Sequence, residues 1–167
     1  MSVTLITTLG DLKLELFCKS CPKSSKNFIG LCATGYYNET FFNRNVPAFI
    51  LQGGTKTGKY SEDQSFYGKS VAFEDEITSE LKHNKRGIVA FANKGPNTNK
   101  SQFYITYSAQ PQLDLKSTIF AHVIDGFDVL DLFEAQEVDQ SNMKPLRTLK
   151  ILDTKIHANP FAEDLEF

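Results

Sequence analysis

The feature that most narrows the fold is an alternation near the amino terminus. Val3 and Leu5, and then Leu12, Leu14 and Leu16, are each separated by one polar residue, and Gly10-Asp11 lies between the two runs. A period of two puts all five apolar side chains on one face of an extended chain, whereas a helical period would scatter them. With a turn pair in the middle, the pattern predicts an antiparallel hairpin with one buried face. Strand-like stretches recur at Phe41–Phe42, Ala48–Gln52, Gly87–Ala92, Gln102–Thr106, Thr118–Ile124 and Leu149–Ile156.

Two segments break this rhythm. Pro22 opens a helix, because its missing N–H is free at a first turn, and Gly35 closes it; Phe28, Leu31 and Cys32 fall on one face between them. A second helix fits residues 127–135, entered at Gly126, with Leu130, Phe133 and Glu134 on a shared face. About eight strands and two helices predict a mainly β fold, a closed eight-stranded antiparallel barrel capped by the helices, which would leave no strand edge exposed. Periodicity by itself fits a sandwich equally well. With no repeat, linker or low-complexity run, residues 1–167 read as a single domain. Segments 53–72 and 93–101 carry little apolar pattern and are expected to be long surface loops, where function concentrates.

Composition removes several classes of function. Lysine plus arginine number 18 against 20 aspartate plus glutamate, a net charge of −2, which leaves no basic footprint for direct nucleic-acid binding. The chain has 14 Phe and no Trp, so phenylalanine should dominate its aromatic packing. The first residues lack the basic-then-apolar pattern of a leader, and no run approaches the roughly 18 apolar residues of a membrane helix. Cytoplasmic or nuclear residence without membrane attachment is expected, and the sequons at Asn38 and Asn99 should then carry no sugar.

Three motifs resemble chemistry without completing it. Cys18-Lys-Ser-Cys21 has redox or zinc spacing, but only Cys32 remains and His83, His122 and His157 lie at no finger spacing, so reduced thiols and no metal are expected. Gly53-Gly-Thr-Lys-Thr-Gly58-Lys59 approaches a phosphate-binding loop. However, Tyr60 stands where a hydroxyl should bind magnesium, and no strong helix pattern follows. His83 reads as a structural hydrogen-bonder, while Ser101 and Ser117 have no nucleophile context.

Phe41-Phe-Asn-Arg-Asn-Val-Pro-Ala-Phe-Ile-Leu-Gln-Gly-Gly54 sets a charged Arg44 among apolar residues. Alone, that pattern fits a surface arginine laying its stem over apolar neighbours. A second stretch, Ala92-Asn-Lys-Gly-Pro-Asn-Thr-Asn-Lys-Ser-Gln-Phe-Tyr-Ile105, changes the reading. Together with Phe73-Glu-Asp-Glu76, Leu81-Lys-His83 and Leu113-Asp114, it resembles the cyclophilin family of peptidyl-prolyl cis–trans isomerases in order and spacing over nearly the whole chain. The opening Met1-Ser-Val-Thr-Leu5, the step Asn43-Arg-Asn45 and the ending Ile156-His-Ala-Asn-Pro-Phe-Ala162 are most similar to a small nuclear subtype of that family whose relatives occur in spliceosomes.

The resemblance implies an isomerase acting on proline-containing peptides and proteins, with no cofactor, and with spliceosomal proteins as candidate partners; a monomer is expected. Arg44 matches the catalytic arginine, Gln52 the polar residue beside it, and Asn93 the residue whose backbone holds the substrate. Phe49, Ile50, Phe103 and Leu113 match the proline pocket; Ala92, Gln102 and Ser117 complete the groove; Ser61 and Lys94 rim a second pocket for residues upstream of the proline. Several positions depart from the family. Asn43 stands where many members have His, Ile50 replaces Met, Ser117 replaces an aromatic or His, and Gln112 stands where cyclosporin-sensitive members have Trp, so weak cyclosporin binding is expected. The loop 59–64 carries Glu62 and Asp63 in place of glycines, which adds charge beside the second pocket. The competing reading is a proline-peptide binding module with incidental catalysis; a hydrolase or nucleotide-binding enzyme is a distant third. The acidic run Glu163-Asp-Leu-Glu166 reads as a frayed, solvated end.

Overall fold

In the computed structural model, described for residues 1–158, the alternation at residues 3–16 becomes a hairpin of β1 (Ser2–Thr7) and β2 (Gly10–Leu16). Val3 pairs with Leu14 and Leu5 with Leu12, and all four are fully buried. The chain continues through α1 (Pro22–Ala33), β3 (Phe41–Val46), β4 (Ile50–Thr55), the short pair β5 (Gln64–Ser65) and β6 (Gly68–Lys69), β7 (Ile88–Phe91), β8 (Phe103–Thr106) and β9 (Ile119–Asp125). It ends with α2 (Phe127–Glu134), a second short pair β10 (Val138–Asp139) and β11 (Lys144–Pro145), and β12 (Ile151–Ile156). The run Glu163–Glu166 and the end of the stretch 156–162 lie outside the described residues.

Eight strands form one antiparallel sheet in the order β12-β1-β2-β9-β7-β8-β4-β3. The closed barrel expected from sequence is corrected here to an open, curled sheet, with β12 and β3 as its edges. The outer edge of β3 meets the irregular segment 143–150 instead of β12. Phe42 N–H donates to Leu149 O at 2.9 Å and Asn45 N–H to Met143 O at 2.8 Å, with one isolated bridge between Phe41 and Lys150. Pro145 in that segment has no N–H to donate, so a regular ladder cannot run through the seam.

The interior is aromatic. Phe28 on α1 packs 5.1 Å from Tyr37, 5.6 Å from Phe103 and 5.0 Å from Phe120 between ring centroids. Helix α1 lacks a cap from its own chain start, and Glu76 supplies one from afar. Its carboxylate accepts from Lys23 N–H at 3.2 Å and from Ser24 N–H at 2.6 Å, at the end where the helix dipole favours a negative group. At the entry to α2, Gly126 has φ +96°, and a Cβ there would sit 2.3 Å from Asp11 O. Leu130 and Phe133 are fully buried, while Glu134 accepts from Ala48 N–H at 2.7 Å and pairs with Arg86 at 2.7 Å, tying α2 to the β3–β4 turn.

The two segments expected to be surface loops are partly interior. Asp63, Ser65, Asn99, Lys100 and Ser101 are all buried. Ser101 O accepts from Tyr37 Oη at 2.8 Å, and Ser101 Oγ donates to Gly54 O at 2.8 Å. These segments are polar because they satisfy buried groups, and hydropathy cannot distinguish that from solvation.

Candidate active site

Strand register builds the site. Arg44 on β3 lies opposite Gln52 on β4, Gln52 opposite Tyr104 on β8, and Tyr104 opposite Ala90 on β7. This row runs across the outer face of the sheet. One position along, Phe42, Gly53, Phe103 and Phe91 form the matching row on the inner face. Phe103, matched to the proline pocket in the sequence, therefore points the other way: it is fully buried in the aromatic core. Tyr104 takes its place. The signal was present in the sequence, because Gln102 and Phe103 are adjacent in an extended chain and cannot face the same groove.

The outer row opens onto a cavity of about 520 Å³. Arg44, Gln52, Asn93, Phe49, Ile50, Ala92, Gln102, Leu113, Ser117 and Lys94 all line it, joined by Tyr60, Tyr104 and Lys116, which sequence reasoning missed. Ser61 is exposed and outside the lining; its neighbour Tyr60 occupies that rim, its hydroxyl donating to Thr98 O. Its apolar floor is made by Phe49, Ile50, Ala92, Tyr104 and Leu113, and Ile88, Ala90 and Ile119 pack beneath in the same small cluster.

Arg44 is exposed, with its guanidinium carbon 5.8 Å from the centre of the Phe49 ring. Its apolar sequence neighbour Phe42 turns away into the core, while the charge stays at the mouth of the cavity. Among the described residues its guanidinium has no hydrogen bond or ion pair, which leaves its planar donors available to a ligand.

A chain of amides braces the groove beside it. Gln52 Nε2 donates to Gln102 Oε1 at 2.8 Å, and Asn43 Nδ2 reaches the same oxygen at 3.3 Å. Gln102 Nε2 donates to Asp63 Oδ2 at 2.7 Å, and Thr55 Oγ1 to Asp63 Oδ1 at 2.8 Å. Asp63 is 1% exposed, and burial raises its pKa above the usual carboxylate value. It was expected to add charge to the rim of the second pocket; it is instead an interior anchor, and only Glu62 of the pair is exposed.

On the opposite wall, Asn93 Nδ2 donates to Lys116 O at 3.1 Å and lies 3.2 Å from Ser117 Oγ. Beneath the floor, His83 is 1% exposed, with Nδ1 2.9 Å from Asp114 Oδ1 and Nε2 2.7 Å from Tyr104 Oη. Because Asp114 only accepts, Nδ1 carries the proton and Nε2 accepts from the tyrosine. Burial lowers the His83 pKa and outweighs the opposing pull of Asp114.

Cys21 Sγ donates to Ile119 O at 3.1 Å, and burial pushes its thiol up to about 12. No group of three or more His, Cys, Asp or Glu side chains is gathered among the described residues. After Gly58 comes a single 3₁₀ turn, Tyr60–Glu62, in place of a phosphate-binding helix terminus.

The model of the family described as cyclophilin type peptidyl-prolyl cis-trans isomerase/CLD matches residues 2–156. The human protein named peptidyl-prolyl cis-trans isomerase-like 3 is 51% identical over 98% of this chain and 100% of its own length. The protein of that name from Dictyostelium discoideum is 48% identical over 97% and 99%. A cyclophilin type isomerase from Cryptosporidium parvum, solved in the presence of the dipeptide Ala-Pro, superposes with a TM-score of 0.90 at 48% identity, covering 95% of this chain and 100% of that one. The family match across residues 2–156, with about half of the residues identical to relatives covered along nearly their whole length, places the chain in the cyclophilin family of peptidyl-prolyl cis–trans isomerases.

Proposed function

We propose that this isomerase seats the proline ring of its substrate on the floor made by Phe49, Ile50, Tyr104 and Leu113, and that Arg44 catalyses rotation of the preceding peptide bond. The barrier to that rotation is ~18–20 kcal/mol, because amide resonance must be broken. No bond to carbon forms or breaks, so neither a nucleophile nor a cofactor is required. Acceleration comes from binding the twisted amide more tightly than either planar form. Twisting localises a lone pair on the proline nitrogen, and a guanidinium N–H directed at it stabilises that state selectively. Gln52 and the backbone of Asn93 hold the chain on either side, while Ala92, Gln102 and Ser117 complete the walls.

One observation carries the reading. Arg44 stands in register with Gln52 at the edge of an apolar floor, and among the described residues its donors have no hydrogen-bond or ion-pair partner. The test is a prolyl-peptide exchange measurement on wild type and Arg44→Ala. A loss of at least about a hundredfold is expected, roughly 2.7 kcal/mol of transition-state stabilisation. A wild-type protein that binds proline peptides without accelerating exchange would establish the binding-module reading instead.

The wider setting is also a proposal: residence in the cytoplasm or nucleus, a monomeric state, and spliceosomal proteins among the partners. The sequence resemblance described above supports it. Localisation of the tagged full chain and sizing of the purified protein test it, and a membrane-bound or oligomeric protein would overturn it.

A further inference from the structure

The cavity above Arg44 does not end at Asn43 and Gly58. Both residues also line a second hollow of about 260 Å³, bounded by Phe41, Lys59, Asn142 and Lys144. Along the two together run five cations, Arg44, Lys94, Lys116, Lys59 and Lys144, and among the described residues no aspartate or glutamate lines either one. This is unexpected in a chain whose net charge is −2. Charge has been sorted, with the positive side chains collected along one groove.

These cations also differ from others in the molecule. Lys23 pairs with Glu74, Arg86 with Asp131 and Glu134, and Lys150 with Glu39. Among the described residues, none of the five groove cations has an ion-pair partner. Three are propped on aromatic faces: the Arg44 guanidinium carbon lies 5.8 Å from the centre of the Phe49 ring, the Lys94 amine 5.9 Å from that of Tyr60 and the Lys144 amine 5.5 Å from that of Phe41. The buried acid of this region, Asp63, is held by Gln102 and Thr55 below the surface. Like charges left together without counter-ions raise the local potential, and a concave, low-dielectric wall focuses it.

We infer that the groove selects X–Pro segments bearing anionic side chains, carboxylate or phosphate, on the residues flanking the proline. This rests on the isomerase reading of the site and extends it to a substrate class. Of the five cations, a neutral peptide uses only Arg44. An acidic one also meets the amines of Lys94 and Lys116 on one side, or those of Lys59 and Lys144 beyond Asn43. Complementarity of this kind acts mainly on encounter rate and selectivity, and it weakens as salt screens it.

The experiment compares matched peptides carrying Gln, Glu or phosphoserine at each position flanking one proline. Exchange is measured by NMR, and binding by shifts of groove amides. At low ionic strength Glu should exceed Gln in exchange efficiency by on the order of tenfold at one or more positions, with phosphoserine at least equal to Glu. The advantage should shrink in ~1 M salt, where the screening length is about 3 Å. It should also fall in Lys59→Gln, Lys144→Gln or Lys94→Gln, read as the Glu-to-Gln ratio within each variant, so a general loss of activity cancels. Equal exchange and binding of the Gln and Glu peptides would overturn the inference while leaving the isomerase reading intact. Absence of exchange with every peptide would sink that reading, and the Glu-to-Gln binding ratio would still decide selectivity. A single-stranded RNA that displaced the acidic peptide at lower concentration than a second acidic peptide would reassign the groove to nucleic acid.

Discussion

Nε2 of Gln102 donates a 2.7 Å hydrogen bond to Oδ2 of the buried Asp63, and that bond fixes which way the Gln102 amide faces. With its nitrogen held by the carboxylate, its oxygen must point toward Gln52 and Asn43, and both donate to it. Asp63, which does not itself line the cavity, thereby orients Gln52 beside Arg44 through Gln102. In Asp63→Asn an amide replaces an acceptor-only group, and at least one donor in the chain loses its partner.

Asp63→Asn should therefore lower kcat more than it raises KM, and should cost about 1–3 kcal/mol of stability through the unpaired buried donor. The pH profile separates positioning from general damage. The folded-state pKa of Asp63 is raised above the ordinary 3.8, so its carboxylate takes up a proton earlier as pH falls and loses acceptor capacity. Wild-type exchange should decline on the acid side at a pH above the ordinary carboxylate value, and Asp63→Asn should lack that limb. An identical acid limb in both proteins would remove Asp63 from the mechanism.

His83 predicts a second acid effect, on stability. Its folded pKa lies below the ordinary 6.5 because the ring is buried. A depressed folded pKa means that the unfolded chain binds the proton first. The stability His83 contributes is present above 6.5 and is lost as pH falls through the lower folded value. Protonation also ends the bond that Nε2 accepts from Tyr104. Thermal midpoints should drop below pH 6.5, and the drop should be shallower in Tyr104→Phe, which has no such bond to lose. Equal slopes in a melting series would contradict this assignment of the tautomer.

Gly53 has no room for a side chain. An added Cβ would lie 2.5 Å from Cδ1 of Phe42, whose ring is buried and packs 4.9 Å from Phe133. Gly53→Ala should destabilise by about 1–3 kcal/mol through overpacking. For a chain of this size that corresponds to roughly 2–4 °C in Tm per kcal/mol, readable in a thermal melt. An unchanged midpoint would mean that the inner row of side chains is looser than the register implies.

Gln112 is exposed and donates to Gln110 Oε1 at 2.7 Å, so no indole covers that end of the groove beside Leu113. We propose that cyclosporin binds weakly for this reason and that Gln112→Trp strengthens its binding, by supplying apolar surface and a ring N–H donor. Calorimetric titration of both proteins checks this, and equal affinities would refute it.

The sequence by itself determined the alternating strands, the extent of both helices and, through its resemblance to a family, most of the groove. Period-two and helical patterns are local properties that burial enforces whatever the partner. Only the tertiary structure decided that Tyr104 and not Phe103 faces the cavity, that Arg44 stands opposite Gln52, and that the sheet stays open at β3. Those outcomes depend on register between strands far apart in the chain, and a one-residue difference reverses every side chain. Asp63 is the clearest case. Its charge in a glycine-poor loop reads as solvated, yet Thr55 and Gln102, brought to it by the curl of the sheet, supply the hydrogen bonds that let a carboxylate be buried.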